Sequence, residues 1–259
     1  MNQTTSNSWI SYSKISVAPA LRLFCLPYAG GNAALFNSWP AALPKRVQVC
    51  AVELPGRRRR FGETAYSSMP PLAHDLAMVL EQYVDLPYAV FGISLGALIG
   101  FEVAHEMKKL GHPPIRLFVA NCRAPHLPDQ DPPAHALPDR DLLARIRDFG
   151  ATPDAVIQHD ELMKMMLPTI RADFKLAETY RYLPKRPFTF PITAFLGSED
   201  PSLTFAHLKP WREHTRGPYR LEVLRGNHYL VDTGRDALLQ AISAELNCYL
   251  HARSATGQI

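Results

Sequence analysis

Short apolar runs alternate along the first half of the chain with longer stretches of helical period. Leu21 to Leu26 ends at Pro27, Val47 to Leu54 closes at Pro55-Gly56, Tyr88 to Val90 leads into Phe91-Gly92, and Ile115 to Cys122 follows. Brief apolar runs bounded by Gly or Pro read as buried strands. Between them, Met69 to Val84 places Leu72, Leu76, Val79, Leu80 and Tyr83 on one helical face. Ala97 to Leu110 carries Leu98, Phe101, Val103 and Met107, with Gly111 as a stop signal. Strand alternating with helix predicts a mostly parallel sheet with helices on both faces.

The rhythm breaks after Cys122. From Pro125 to Pro191 no good strand is visible, and the segment opens on Pro125, Pro128, Pro132, Pro133 and Pro138. Helical patterns follow: Leu142, Leu143, Ile146 and Phe149 between Asp139 as N-cap and Gly150 as stop, then Leu162, Met165 and Met166, then Ile170, Phe174 and Ala177. Alternation resumes with strands at Ile192 to Leu196 and Tyr219 to Leu224, and a last helix from Asp236 to Leu250. The expected organisation is a polar N-terminal segment at 1–20, an α/β core at 21–124 and 191–251, and a helical insertion at 125–190 placed as a lid. Residues 252–259 read as a frayed tail.

Composition narrows the partners. The 259 residues are 47% hydrophobic and 20% charged, with a formal charge of +4, which is ordinary for a soluble globular protein and gives no case for nucleic acid. Residues 1–20 have no apolar core segment, so no secretory signal is read there, and no run is long enough to span a bilayer. Cys25, Cys50, Cys122 and Cys248 are far apart in sequence. They form no metal-knuckle or redox pair and suit a reducing, cytoplasmic setting.

The chemistry centres on Gly92-Ile93-Ser94-Leu95-Gly96, set between a strand and a helix. Gly-x-Ser-x-Gly in that context is a nucleophile elbow, the sharp turn that lifts a serine above a sheet edge in the α/β-hydrolase fold. A serine hydroxyl needs a base in reach and an acid to orient that base. Each should lie in a loop just past a later strand. Asp200 follows the strand at 192–196 and His228 follows the strand at 219–224. Asp200-Pro201 is also a turn sequence, and Glu199 is a rival acid. His207 and His214 fall in a helix-like stretch, while His105 and His112 precede the acid and suit surface or cap positions. An oxyanion needs preorganised donors; the backbone N–H groups of Leu95 and of Ala29, in Tyr28-Ala29-Gly30-Gly31, are the expected pair. Arg57 to Arg60 reads either as a grip for phosphate or an acidic partner, or as a solvated loop. Met163, Met165 and Met166 line an acyl groove on one reading and pack the lid on the other.

These stretches together resemble the type II, external editing thioesterases of polyketide synthases and nonribosomal peptide synthetases. The matching segments are Leu26 to Gly31, Leu54 to Arg57, Ser94 to Ala97, Leu167 to Phe174, Gly197 to Pro201 and Gly226 to His228. Arg171-Ala172-Asp173 is the most specific of them and the elbow the least. The resemblance implies a triad of Ser94, Asp200 and His228, with oxyanion donors Ala29 and Leu95. It implies hydrolysis of acyl thioesters on the phosphopantetheine arm of an acyl or peptidyl carrier protein, removing stalled or wrong acyl groups. No cofactor of its own is expected, and a monomer is. The family usually has His where this chain has Ile93, often His where it has Tyr28, and Gly where it has Asn227. Tyr28 and Ile93 are therefore expected in the pocket wall, beside Met165 and Met166. The competing expectations are a carboxylesterase or lactonase on the same fold, a product-cyclising terminal thioesterase, and a non-catalytic protein that docks a carrier.

Overall fold

The computed structural model describes residues 8–13, 18–128, 132–148 and 159–255. Seven strands form one sheet in the order β1-β3-β2-β4-β5-β6-β7: β1 (Ile10–Tyr12), β2 (Leu21–Leu26), β3 (Val47–Val52), β4 (Tyr88–Ile93), β5 (Arg116–Ala120), β6 (Ile192–Gly197) and β7 (Tyr219–Leu224). All neighbours are parallel except β1, which runs antiparallel to β3. The sequence reading missed β1, because Ile10-Ser11-Tyr12 is too short to show a period.

Alternate residues of the strands feed two cores. Phe24, Leu26 and Val90 face α1 (Met69–Leu80) and α2 (Leu95–Lys109), where they meet Leu72, Leu76, Ile99 and Val103. Leu23, Cys25, Phe91 and Ile93 face the other way, onto Phe36, Trp39 and the final helix with Leu238, Ile242 and Leu246. The sheet is thus covered on both sides. Burying either face stabilises the fold by the usual ~25 cal/mol per Å² of apolar surface.

Between β5 and β6 lie α3 (Asp139–Asp148) and α4 (Asp160–Glu178). They share a third apolar cluster of Leu142, Ile146, Met163, Leu167 and Ile170. The sequence suggested two helical segments around 162–177; a single helix runs through, with Pro168 inside it. Proline costs an intrahelical hydrogen bond, yet Leu167 and Ile170 on either side are both buried, and that packing holds the helix together. Phe149 and Gly150 lie outside the described residues.

Three further helices follow: α5 (Phe205–Leu208), α6 (Leu230–Thr233) and α7 (Arg235–Ala255). The last extends beyond Leu250, so residues 252–255 are helical and not a frayed tail. Among the described residues no helix is long and apolar enough to cross a membrane.

Candidate active site

Parallel register brings the ends of β4, β5, β6 and β7 to one edge. Ile93 pairs with Ala120, Ala120 with Phe195, and Gly197 with Leu224. The loops that leave those positions carry Ser94, Asn121, Asp200 and His228.

Ser94 is held at φ 53° and ψ −119°, a conformation that side chains rarely adopt. Its N–H bonds Ala120 O at 2.9 Å and its C=O accepts from Ala97 N at 2.9 Å. The turn is possible because Gly92 and Gly96 leave no room for anything larger. A Cβ on Gly92 would lie 2.2 Å from Gly96 O, and one on Gly96 would lie 2.3 Å from Leu26 O. Ser94 immediately precedes α2, and the Leu95 N–H at position N1 has no acceptor within its own helix.

His228 Nε2 lies 3.1 Å from Ser94 Oγ, and His228 Nδ1 lies 2.8 Å from Asp200 Oδ2. Asp200 Oδ1 accepts from the Ser202 N–H, the Ser202 hydroxyl and the Leu203 N–H. Burial works against ionisation of Asp200. The hydrogen bond and charge of His228, with the Ser202 donors, outweigh it and hold the carboxyl below its ordinary range. Glu199 instead faces Arg225 at the surface.

His207, His214 and His105 take no part in this chain of hydrogen bonds. His207 completes a capping box with Thr204. His214 is buried and bonds His126 at 2.8 Å. His105 is buried and stacked on Phe188 at 4.1 Å between centroids, so the surface or cap position expected for it is corrected. Its packing against Phe101 and Phe188, the latter in the segment leading to β6, explains the burial.

The sequence reading passed over Asn121, which is buried at φ 41°. Its Nδ2 donates to Asn227 O at 2.8 Å and His228 O at 2.9 Å, and its Oδ1 accepts from Gly197 N at 2.7 Å. One amide therefore ties the β6 loop to the β7 loop. The available signal was a polar side chain inside the apolar run Ile115 to Cys122.

The turn after β2 faces the elbow. Gly31 N bonds Tyr28 O, and Gly30 N bonds the Asp173 carboxylate of α4. Asp173 also forms a two-pronged ion pair with Arg57. Arg60 is buried against the Trp9 ring, 3.8 Å from its centroid. Of the four-arginine run only Arg58 and Arg59 are exposed.

A cavity of ≈ 930 Å³ opens over these groups. Ser94, Leu95, His228, Ala29 and Tyr28 line it, and Met166, Ile170 and Phe174 of α4 face them. Tyr28 packs edge-on against Tyr229 at 4.7 Å, and burial, with Asp232 second, pushes its hydroxyl up to about 12. Two expected wall residues are displaced. Ile93 is fully buried in the core under α7, because strand alternation turns it to the far face. Met165 is 53% exposed, because it sits about 100° around α4 from Met166. Met163 is buried between α3 and α4 and packs the insertion.

Residues 21–246 match the family model described as the thioesterase domain. The chain is 35% identical over 246 residues to linear gramicidin dehydrogenase LgrE of Brevibacillus parabrevis, covering 93% of this chain and 94% of that protein. Among solved structures, the type II thioesterase BorB from the borrelidin biosynthetic cluster superposes with a TM-score of 0.86 at 38% identity, covering 94% of this chain and 100% of BorB. RedJ, a thioesterase from the prodiginine pathway of Streptomyces coelicolor, superposes with a TM-score of 0.83 at 39% identity, covering 88% and 86%.

Proposed function

The chain belongs to the thioesterase domain family, among its type II members, and we propose that it hydrolyses acyl thioesters borne on the phosphopantetheine arm of a carrier protein. In that role it clears stalled or aberrant acyl groups from a polyketide synthase or nonribosomal peptide synthetase. The observation that carries this reading is the continuous chain of hydrogen bonds from Ser94 through His228 to Asp200 at the wall of a ≈ 930 Å³ cavity. A cavity of that size accommodates an acyl chain with part of a pantetheine arm.

The roles follow from the atoms. His228 Nε2 takes the Ser94 proton as Oγ attacks the thioester carbonyl. Asp200 holds the Nδ1–H tautomer and stabilises the imidazolium. The Leu95 and Ala29 N–H groups receive the developing oxyanion, each donor worth about 3 kcal/mol in rate. The C–S bond breaks and the thiol leaves with the proton from His228. Water, deprotonated by the same nitrogen, attacks the acyl-enzyme. Ser94 recovers its proton and the acid departs.

The dehydrogenase name of LgrE is not carried over. The turn after β2 opens on the 3₁₀ turn Ala33–Phe36, whereas a dinucleotide pyrophosphate sits at the N-terminus of a full helix. The test is intact-mass spectrometry of acylated carrier proteins. The wild type should return the carrier to its free-thiol mass, faster than it cleaves a matched oxygen ester. Ser94→Ala should leave the acyl mass in place. Equal release by Ser94→Ala would overturn the reading.

A further inference from the structure

Arg57 and Asp173 lie outside the serine relay, yet both touch the turn that faces Ser94. They come from distant parts of the chain: Arg57 from the loop after β3, Asp173 from the middle of α4. Their side chains are 7% and 2% exposed. Arg57 Nη1 donates to Asp173 Oδ2 at 2.9 Å and Nη2 to Oδ1 at 2.8 Å. The same Nη1 donates to Gly31 O at 2.9 Å, and the same Oδ2 accepts from Gly30 N at 2.7 Å. The pair therefore grips the turn by an N–H and a C=O on consecutive glycines.

That turn needs an external hold. Gly30 stands at φ +75°, and two adjacent glycines carry little conformational preference of their own. The amide of the Ala29–Gly30 peptide is the one that Asp173 fixes, and it adjoins the Tyr28–Ala29 peptide whose N–H is the oxyanion donor. Helix α4 reinforces the hold. Thr169 Oγ1 donates to Gly56 O at 2.7 Å, and Ile170 packs so closely that a Cβ on Gly30 would come within 3.0 Å of it. A buried ion pair is a weak source of net stability, since desolvation offsets most of the attraction. Its worth here lies in geometry.

Building on the thioesterase reading, we infer that Arg57 and Asp173 are positioning residues for the oxyanion donor. They orient the 28–31 turn so that Ala29 N–H meets the tetrahedral intermediate, and they make that orientation depend on α4 being seated. The helix that walls the acyl cavity through Met166, Ile170 and Phe174 thus also sets the oxyanion-stabilising turn.

The experiment compares Asp173→Asn, the double variant Arg57→Met/Asp173→Leu, and the wild type on an acyl-carrier thioester. Affinity for a trifluoromethyl ketone analogue is measured beside it, because its hemiketal oxygen occupies the oxyanion position. Asp173→Asn should lower kcat about 30-fold to 100-fold with KM within about twofold, and weaken the ketone by the same factor. The double variant buries no unpaired charge and strands only the Gly30 N–H and Gly31 C=O, so its melting temperature should fall by no more than a few degrees and it should stay folded in the assay. Its kcat and ketone affinity should stay low. Wild-type kcat and ketone affinity in the stable double variant overturn the inference, as does an Asp173→Asn protein whose only defect is thermal stability. The wild-type rate and its loss in Ser94→Ala, run in the same assay, report on the thioesterase reading separately. A Ser94-dependent wild-type rate with unchanged kcat in Asp173→Asn defeats the clamp alone.

Discussion

The sheet edge and the α4 roof are held by different means. At the edge, Ser94, Asp200 and His228 leave strands whose register is set by backbone hydrogen bonds. In the roof, side chains carry the fixation. Arg171 donates to His135 O and Leu137 O and pairs with Asp139, while Glu178 accepts the N–H groups of Ala134 and His135. Arg57 and Asp173 join roof to edge. Backbone ladders tolerate many sequences, but side-chain links tolerate few. The difference predicts that substitutions at the edge, and at the Arg57–Asp173 link to it, act on turnover, and that other roof substitutions act on which acyl group is accepted.

The strongest test of that division is Asp200→Asn, which keeps the shape but can set an N–H donor, in place of a carboxylate acceptor, opposite His228 Nδ1. A loss of about four orders of magnitude in kcat is expected with little change in fold, checked by single-turnover hydrolysis and circular dichroism. Next comes Asn121→Ala. It strands the Gly197 N–H and two loop carbonyls in a buried site. Turnover should fall about 100-fold, as small misplacements of catalytic groups do, and stability by about 1–3 kcal/mol. A normal kcat in a destabilised Asn121→Ala protein would show that strand register alone aligns the relay.

A third test concerns the core beneath the cavity. Burial first, with Lys185 and Lys108 next, lowers His105 to about 3; burial, with His126 and Lys185, lowers His214 to about 4. In the unfolded chain both bind a proton below about 6.5. The unfolded state therefore holds more protons between the two values, and stability falls as pH drops through 6.5 toward 4. The slope is about 1.4 kcal/mol per pH unit for each histidine, a tenfold change in the unfolding constant. Urea titrations at pH 7 and pH 5 should show it, and His105→Phe should remove one proton's share. The smallest effect is expected in the roof. Met166→Ala should shift preference toward longer acyl chains by about fourfold per methylene accommodated. Met165→Ala should leave the preference alone, and equal shifts in both would mean that α4 is rotated from the orientation described.

How much of this was legible follows the same line. Ser94, Asp200 and His228 could be found from the sequence because each sits at a fixed place relative to a strand end. The continuity of α4 could not, since Pro168 argues locally for a break and only burial of Leu167 and Ile170 overrules it. The pocket-wall place expected for Ile93 rested on the polar residue that the resembled family has there, whereas strand alternation turns this position to the far core. The union of Arg57 with Asp173 was invisible because 116 positions separate them and a lone Arg in a run of four carries no mark of burial.

The Arg57–Asp173 pair also sets a rule for grafting. The insertion between β5 and β6 departs and returns at strands that remain paired, Ala120 with Phe195. A foreign roof could be spliced there without disturbing the sheet. Yet Arg57 stays behind in the core at 7% exposure. A transplanted insertion must bring its own acid to the place of Asp173, or the recipient must surrender its arginine.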